Sequence, residues 1–459
     1  MPLVATKCNI VSNTAGASDK YWIAILGQNN VTFNAYRIRT KVDANNDIFF
    51  AGMCTNGGSL QNLFGKISSS GKLQYSHLIA ETSISLRDPD TGPDSFVVDE
   101  SGNAYIVGWA DGSSTDYGYL IGCDSSGAKI ADFRYKVGTD IVQIAAVRPA
   151  DSSYSSLYLL ALVPGADIAA FKVNVSTGAI SWQTEIAHGS NGYGMETGVD
   201  VDSSYNIISL NRDYTQDLPI LTKWNSSGSR FWSEPFDHGS GTSNVEPMGL
   251  RVFGSNAYMV YRDTTSNCFF VVKNNVSGSG EFTWSWSRKL TLSLGSSSNR
   301  GGIAVDSNEN VYTLTYFAGA DGQFLLAKYN SSGTLQWQRK ITAVVGGSLG
   351  TFNLNGIDLD SDDNIVLSGI AINIFSSVTT PEGVIIFKLP NDGSGLGTYE
   401  LSDTQSVQIT YEYGYATDVS ATLRKTGTPP STSSPGLSLT AGSASVSSLS
   451  LLEEKVKVS

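Results

Sequence analysis

The chain has 459 residues, 41% hydrophobic and 16% charged, with 42 acidic against 30 basic residues and a formal charge of −12. That balance, with no Lys/Arg-rich patch, argues against a protein that grips phosphate backbones. No run of about 18 apolar residues exists for a membrane span, and Met1-Pro2-Leu3-Val4-Ala5-Thr6-Lys7 lacks the apolar centre of an export signal, so neither a spanning helix nor such a leader is expected.

In chain order, the first strand-like runs are Tyr21-Trp22-Ile23-Ala24-Ile25-Leu26 and Val31-Thr32-Phe33, which read as a third and fourth strand with no first and second before them. A regular phrase then sets in. An acidic turn enters a hydrophobic strand at Asp43, Asp99, Asp151, Asp202, Asp306 and Asp360, and a copy without the aspartate reads Gly254-Ser255-Asn256. Taking 43, 99, 151, 202, 255, 306 and 360 as anchors, the steps are 56, 52, 51, 53, 51 and 54 residues. A period in that range belongs to a propeller, solenoid or array.

A second marker follows each acidic turn. It is a strand, then Ser-Ser-Gly or a variant, then an aromatic four residues after the glycine: Gly71 with Tyr75, Gly178 with Trp182, Gly228 with Trp232, and Gly333 with Trp337. Gly280 with Trp284 and Gly395 with Tyr399 are looser copies, and Gly127 has Ala131 in place of the ring. Each unit then holds four short strands, as in Ile303-Ala304-Val305, Val311 to Thr315, Phe324 to Tyr329 and Leu335 to Arg339. Such β-branched and aromatic runs between Gly, Asn, Asp and Ser are strand and hairpin signals, and no segment carries a capped helical period.

The fold class is therefore all-β, a β-propeller, with the aspartate turns joining strands one and two of each blade and the Ser-Ser-Gly turns joining three and four. Either the N-terminal runs complete the last of seven blades, or they pair with Val407-Gln408-Ile409-Thr410-Tyr411 to close an eighth. Seven is the reading adopted, and eight stays open. The division is an N-terminal extension over 1–19, the propeller over 20–412, and a Pro/Ser/Thr linker with an extended tail over 413–459. The tail alternates apolar with small polar residues, as in Ala444-Ser445-Val446-Ser447-Ser448-Leu449, which suits a strand that needs a partner. Disorder and docking on another subunit are both open for it.

Searches for chemistry yield no catalytic, metal or cofactor residue. Gly346-Gly347-Ser348-Leu349-Gly350 matches the nucleophile-elbow pattern, but that motif needs a strand-to-helix turn and here it lies in a Gly-rich connection. His77, His188 and His238 lie in different repeats, without triad or metal spacing. Asp358, Asp360, Asp362 and Asp363 form the richest oxygen cluster, yet no closing bidentate acid follows, and Asx-type turns are the expected use. Cys8, Cys54, Cys123 and Cys268 are far apart and read as buried free thiols. The repeated aromatics admit two readings: a ring of sugar platforms, or rings packed blade against blade, the usual use of identical repeat positions.

The unit Asp-x-x-x-Asn, strand, Lys-Tyr-Asn-Ser-Ser-Gly-x-Leu-x-Trp, complete from Asp306 to Trp337, resembles bacterial β-propeller repeats of secreted and surface proteins, over roughly residues 20–401. It is similar also to the Asp-box turn of sialidases and the Gly-x-x-x-Trp of quinoprotein repeats, where both turns are scaffold. With its Leu389-Pro390-Asn391-Asp392-Gly393 turn and Ser/Thr/Ala-rich tail, the chain resembles virion-associated propeller proteins of marine tailed phages such as cyanophages. That resemblance implies a non-enzymatic virion protein on the tail or capsid surface, present in several copies and assembled in the host cytoplasm. It would attach through the tail or the N-terminal extension to other virion proteins. Its recognising face, for a host-surface glycan or protein, would comprise residues 82–93, 188–194 and 238–246. The alternatives are a bacterial secreted or surface glycan-binding propeller and, third, a polysaccharide-degrading one.

Overall fold

The computed structural model describes residues 21–27, 31–33, 38–56, 59–80, 85–87, 94–111, 117–137, 142–163, 167–187, 198–213, 218–237, 245–266, 268–280, 282–291, 301–316, 323–345, 348–349, 351–372, 383–400, 407–414, 416–421, 424–425, 431–433, 437–441, 445–448 and 452–457. They form seven antiparallel sheets, each made mainly of consecutive strands. The chain is a seven-bladed β-propeller. Blade 6 is typical, with Gly301–Val305, Val311–Tyr316, Gln323–Tyr329 and Leu335–Val345 paired in that order from the axis outward.

Each aspartate turn is built by its own carboxylate. Oδ1 of Asp306 accepts the amides of Asn308 (2.9 Å) and Asn310 (2.8 Å), and Oδ2 accepts the Asn310 side-chain amide (2.8 Å). Asp99, Asp202 and Asp360 repeat this pattern. The outer turns use the same device, since Asn330 Oδ1 accepts the amides of Ser332 (3.1 Å) and Thr334 (2.8 Å). Gly333 closes that turn at φ 79°, and a Cβ there would come within 2.6 Å of Trp286 in the preceding blade. Glycine is thus needed twice over, for the left-handed backbone and for the ring beneath it.

The aromatic position is set by register. In each blade it lies opposite one residue of strand three: Tyr75 faces Lys66, Trp182 Lys172, Trp232 Lys223 and Trp337 Lys328. Two expected copies move. In blade 5 the ring opposite Lys273 is Trp286, while Trp284 faces Asn274. In blade 7 Tyr399 does not take the place at all, because Gly397–Glu400 leaves that blade and pairs with Val407–Tyr413 on the edge of blade 6. The place opposite Lys388 belongs to Trp22.

The first strand, Trp22–Gly27, is therefore the fourth strand of blade 7, which closes the ring with both ends of the folded chain. The second run, Val31–Phe33, is not a fourth strand. It pairs with the upper part of Ile48–Asn56 in blade 1, beside Arg39–Val42.

At three of the seven junctions an indole N–H then binds one blade to the next. Trp182 donates to the Ser226 carbonyl (3.0 Å), Trp286 to Ser331 (3.0 Å), and Trp22 to Ser69 (3.2 Å). Packing between blades is thus the use of these rings, not sugar platforms. In blade 2, which lacks the ring, Phe133 packs under Gly178 instead. The described residues form seven hydrophobic clusters, one in each gap between neighbouring blades.

The tail supplies a further layer of strand. After Val407–Tyr413 on blade 6, Thr417–Ser420 pairs with blade 5, Arg424–Lys425 with blade 4, Ser431–Ser433 with blade 3, Leu437–Ala441 with blade 2, Ser445–Ser448 with blade 1 and Leu452–Lys457 with Trp22–Gly27 of blade 7. It makes one lap of the ring, backwards. The partner its alternation demands is thus this chain's own blades, neither of the two arrangements expected from the sequence. The start of the lap is fastened by side chains. Ile409 and Tyr411 are buried, Lys340 meets Glu412 at 2.7 Å, Gln338 exchanges hydrogen bonds with both backbone groups of Ala416 (2.8 and 2.9 Å), and Arg288 grips Asp418 with two nitrogens.

The repeats also expose a misfit. Six blades carry the strand-three lysine, and the residue after it is apolar in five, at Ile67, Val173, Trp224, Tyr329 and Leu389, but blade 5 has Asn274. Asn274 is fully buried, and neither atom of its amide finds a hydrogen bond. Replacing it with leucine should raise stability by about 1–2 kcal/mol, since an orphaned buried amide costs roughly that much. A denaturation midpoint unchanged or lowered by Asn274→Leu would contradict this.

Candidate functional site

Charged side chains converge on the axis of the ring. The innermost strands approach closely there, so that a Cβ on Gly356 of blade 7 would lie 3.1 Å from the Arg39 Cα of blade 1. The turn residues Asp202, Asp306 and Asp360 are each preceded at four residues by a glycine, Gly198, Gly302 and Gly356, but blades 1 and 2 carry Arg39 and Ser95 there. In blade 2 the innermost strand is only Phe96–Val98, and the segment before it turns inward.

Asp94 is the result. It is fully buried, and its carboxylate binds Arg148 of blade 3, the amide of Val199 in blade 4 (3.2 Å) and Arg251 of blade 5 (3.0 Å). Its own carbonyl accepts the Val147 amide (2.8 Å), and the neighbouring Ser95 hydroxyl bonds Arg39 of blade 1. A residue of blade 2 reaches blade 5 only across the axis, so Asp94 and Ser95 plug the centre of the ring. Burial alone would raise the Asp94 pKa, but Arg148, Arg251 and Lys41 outweigh it and hold the carboxyl well below the usual carboxylate range.

Nearer the aspartate-turn face, two more carboxylates bridge neighbouring inner strands. Asp200 accepts Arg148 (3.1 Å) on one oxygen and the Val252 amide of blade 5 (2.8 Å) on the other. Asp358 accepts the amides of Leu359 (3.0 Å) and of Val42 in blade 1 (3.1 Å). Three carboxylates thus face three cations, Lys41, Arg148 and Arg251.

Lys41 differs from the other two cations. Among the described residues it makes no ion pair, and burial together with repulsion from Arg251 and Arg148, only partly offset by Asp358 and Asp94, pulls its pKa down to about 8. A lysine pKa lowered on folding means that the unfolded chain holds more protons between about 8 and 10.5, so this group makes stability rise with pH across that window. Lys41→Met should therefore stabilise the protein most below pH 8, with the gain shrinking towards pH 10.5. Parallel melting curves of the two proteins from pH 6 to about 10 test it, and a difference independent of pH would refute it.

Chemically the arrangement suits a clamp. Asp94 is held ionised near neutrality and cannot trade protons there; Asp94 and Asp200 are committed to backbone amides and guanidinium groups, and Asp358 to two backbone amides. This network was missed in the sequence, where the one available signal was the replacement of the glycine four residues before the aspartate turn.

Of the described residues singled out in the sequence, Asp358 alone joins that network, through the amides of Val42 and Leu359. Asp360 builds its turn and pairs with Lys388 (2.8 Å), with Asn391 bonding the Asp362 carbonyl beyond it. Ser348 lies on the two-residue strand Ser348–Leu349, paired with the end of Leu335–Val345, so the elbow-like sequence follows a strand into a strand. His77 packs against the Gly127 turn, where burial lowers its pKa, while His188 and His238 lie outside the described residues. Cys54, Cys123 and Cys268 are buried free thiols, the first two pushed up to about 12 by burial, and Cys8 lies outside the described residues. Of the expected recognition loops, only 85–87, 245 and 246 are described.

No family model matches the sequence, and no curated protein matches it. Among solved structures, the chain is similar to the periplasmic gluconolactonase PpgL of Pseudomonas aeruginosa, at 9% identity and TM-score 0.46 over 69% of this chain and 94% of that one. It is also similar to the dihydro-heme d1 dehydrogenase NirN, at 9% identity and TM-score 0.43 over 82% and 75% of the two chains. A mutant NanB sialidase from Streptococcus pneumoniae follows, at 12% and 0.40 over 88% and 70%. At these values none speaks to activity, and the propeller assignment rests on the strand pairing itself.

Proposed function

We propose that the chain is a non-enzymatic structural protein of a phage particle, a rigid propeller displayed on the tail or capsid surface for host attachment or decoration. One observation carries the reading: the two faces of the ring are built differently. On one face every aspartate and Ser-Ser-Gly turn is short and satisfied by its own side chains. The longer connections, such as those from Ala187 to Gly198, Asp237 to Val245, Thr291 to Gly301 and Ile372 to Gly383, all leave from the opposite strand ends. Variable loops on a rigid body are a common way to present a binding surface. The clamped axis supports the same reading, because its charges are spent on holding blades together.

With the tail laid along the rim, the anchor to other virion proteins falls to residues 1–19. Mass spectrometry of purified particles should find the chain as a structural component in several copies. Its absence from particles, together with retention of the free protein on a host-glycan array, would favour the secreted or surface glycan-binding propeller instead.

A further inference from the structure

The belt keeps step with the blades. Thr410 faces Thr342 of blade 6, Thr417 faces Thr291 of blade 5, and Arg424 faces Asp237 of blade 4. Ser431 then faces Ala187, Ser438 Lys136, Ser445 Ala80 and Leu452 Gly27. Each belt residue in this series is seven positions after the last, and each blade residue is five positions past its own ring site, counted from Trp337, Trp286, Trp232, Trp182, Ala131, Tyr75 and Trp22. The acceptor geometry is therefore the same on all seven blades, although their sequences differ.

The period has a physical origin. Every belt strand is antiparallel to the outer strand it covers, so each must enter its blade at the same end. At about 3.3 Å per residue, three or four residues descend the edge and the remaining three or four, about 10–13 Å of chain, return to the starting height on the next blade. The sequence bears the same period, because the last position of each unit, from Ala416 through Leu423, Leu437 and Leu451 to Val458, is apolar throughout. Main-chain pairing supplies most of such docking, which makes it tolerant of side-chain identity.

We infer that the rim is a peptide-binding surface of seven equivalent sites, each taking one seven-residue unit of extended chain, with the tail as its resident occupant and the tail of a second copy of this chain as the partner that fits the same sites. The units should then be interchangeable between blades. Deleting residues 424–430 from the full chain removes one whole unit, so every later unit should dock one blade earlier and leave only Trp22–Gly27 of blade 7 uncovered. Deleting 424–427 removes four residues and should put all later units out of step.

Amide exchange by mass spectrometry reads the difference. The seven-residue deletion should lose protection at least tenfold at Trp22–Gly27 while Ile180–Ala187, Lys129–Val137 and Leu73–Ala80 stay protected. The four-residue deletion should lose protection at all of them. A fluorescent peptide of residues 449–459 should bind the seven-residue deletion and not the intact chain. Deleting 438–444, another whole unit, must give the same pattern. Equal exchange for the seven- and four-residue deletions, failure of both whole-unit deletions to fold, or no peptide capture by them would overturn the inference.

Discussion

Asp94→Ala will lower the stability of the ring by about 3–5 kcal/mol, the usual cost of removing one partner from a buried ion pair and leaving the other charged and dry. Arg148 is left with Asp200 alone, and Arg251 and the Val199 amide lose the Asp94 carboxylate altogether. The loss should appear as a shifted denaturant midpoint with an unchanged slope. Adding Arg148→Met to Asp94→Leu should recover part of it, because the most deeply buried charged pair is then replaced as a unit by apolar groups of similar bulk, leaving only the more exposed Arg251 and Asp200 short of a partner. Should Asp94→Ala fall within about 0.5 kcal/mol of the natural protein, the range of an ordinary surface substitution, the axial network does not hold the blades.

Trp22→Ala is the second large effect, again about 3–5 kcal/mol, the range for truncating a buried aromatic to alanine. Trp22 is fully buried between blades 7 and 1, lies opposite Lys388, and donates to the Ser69 carbonyl (3.2 Å). Trp182 makes the same hydrogen bond in blade 3 but is only half-buried, and its blade is held by continuous chain on both sides. Trp182→Ala should therefore cost less. The two variants are best compared by limited proteolysis, where only Trp22→Ala should speed release of the N-terminal strand. Equal release from both would mean that the closing strand has no special weight.

Much of this architecture is legible in one dimension because it is made by local hydrogen bonds. An aspartate that accepts the amides two and four residues ahead writes its turn into five residues, as at Asp306, and the spacing of such turns counts the blades. The Ser-Ser-Gly turns are equally local. The reading slipped where a residue's place depends on register against another strand. The ring of blade 5 is Trp286 because it faces Lys273, a fact that distance from Gly280 does not contain. Tyr399 resembles a blade-7 ring by spacing alone, yet Trp22 already fills that place from the other end of the chain.

Read alone, the sequence determined the all-β class, the roughly fifty-residue period and the turn chemistry, since each depends on contacts within a few residues. Only the tertiary structure decided the rest: which strand closes blade 7, how Asp94 joins blades 3, 4 and 5, and where the tail finds its partners. Those features arise when the ring closes and brings together residues as distant as Val42 and Asp358, 316 positions apart. Such pairs are specified jointly by the geometry of all seven blades, and no single stretch of sequence carries them.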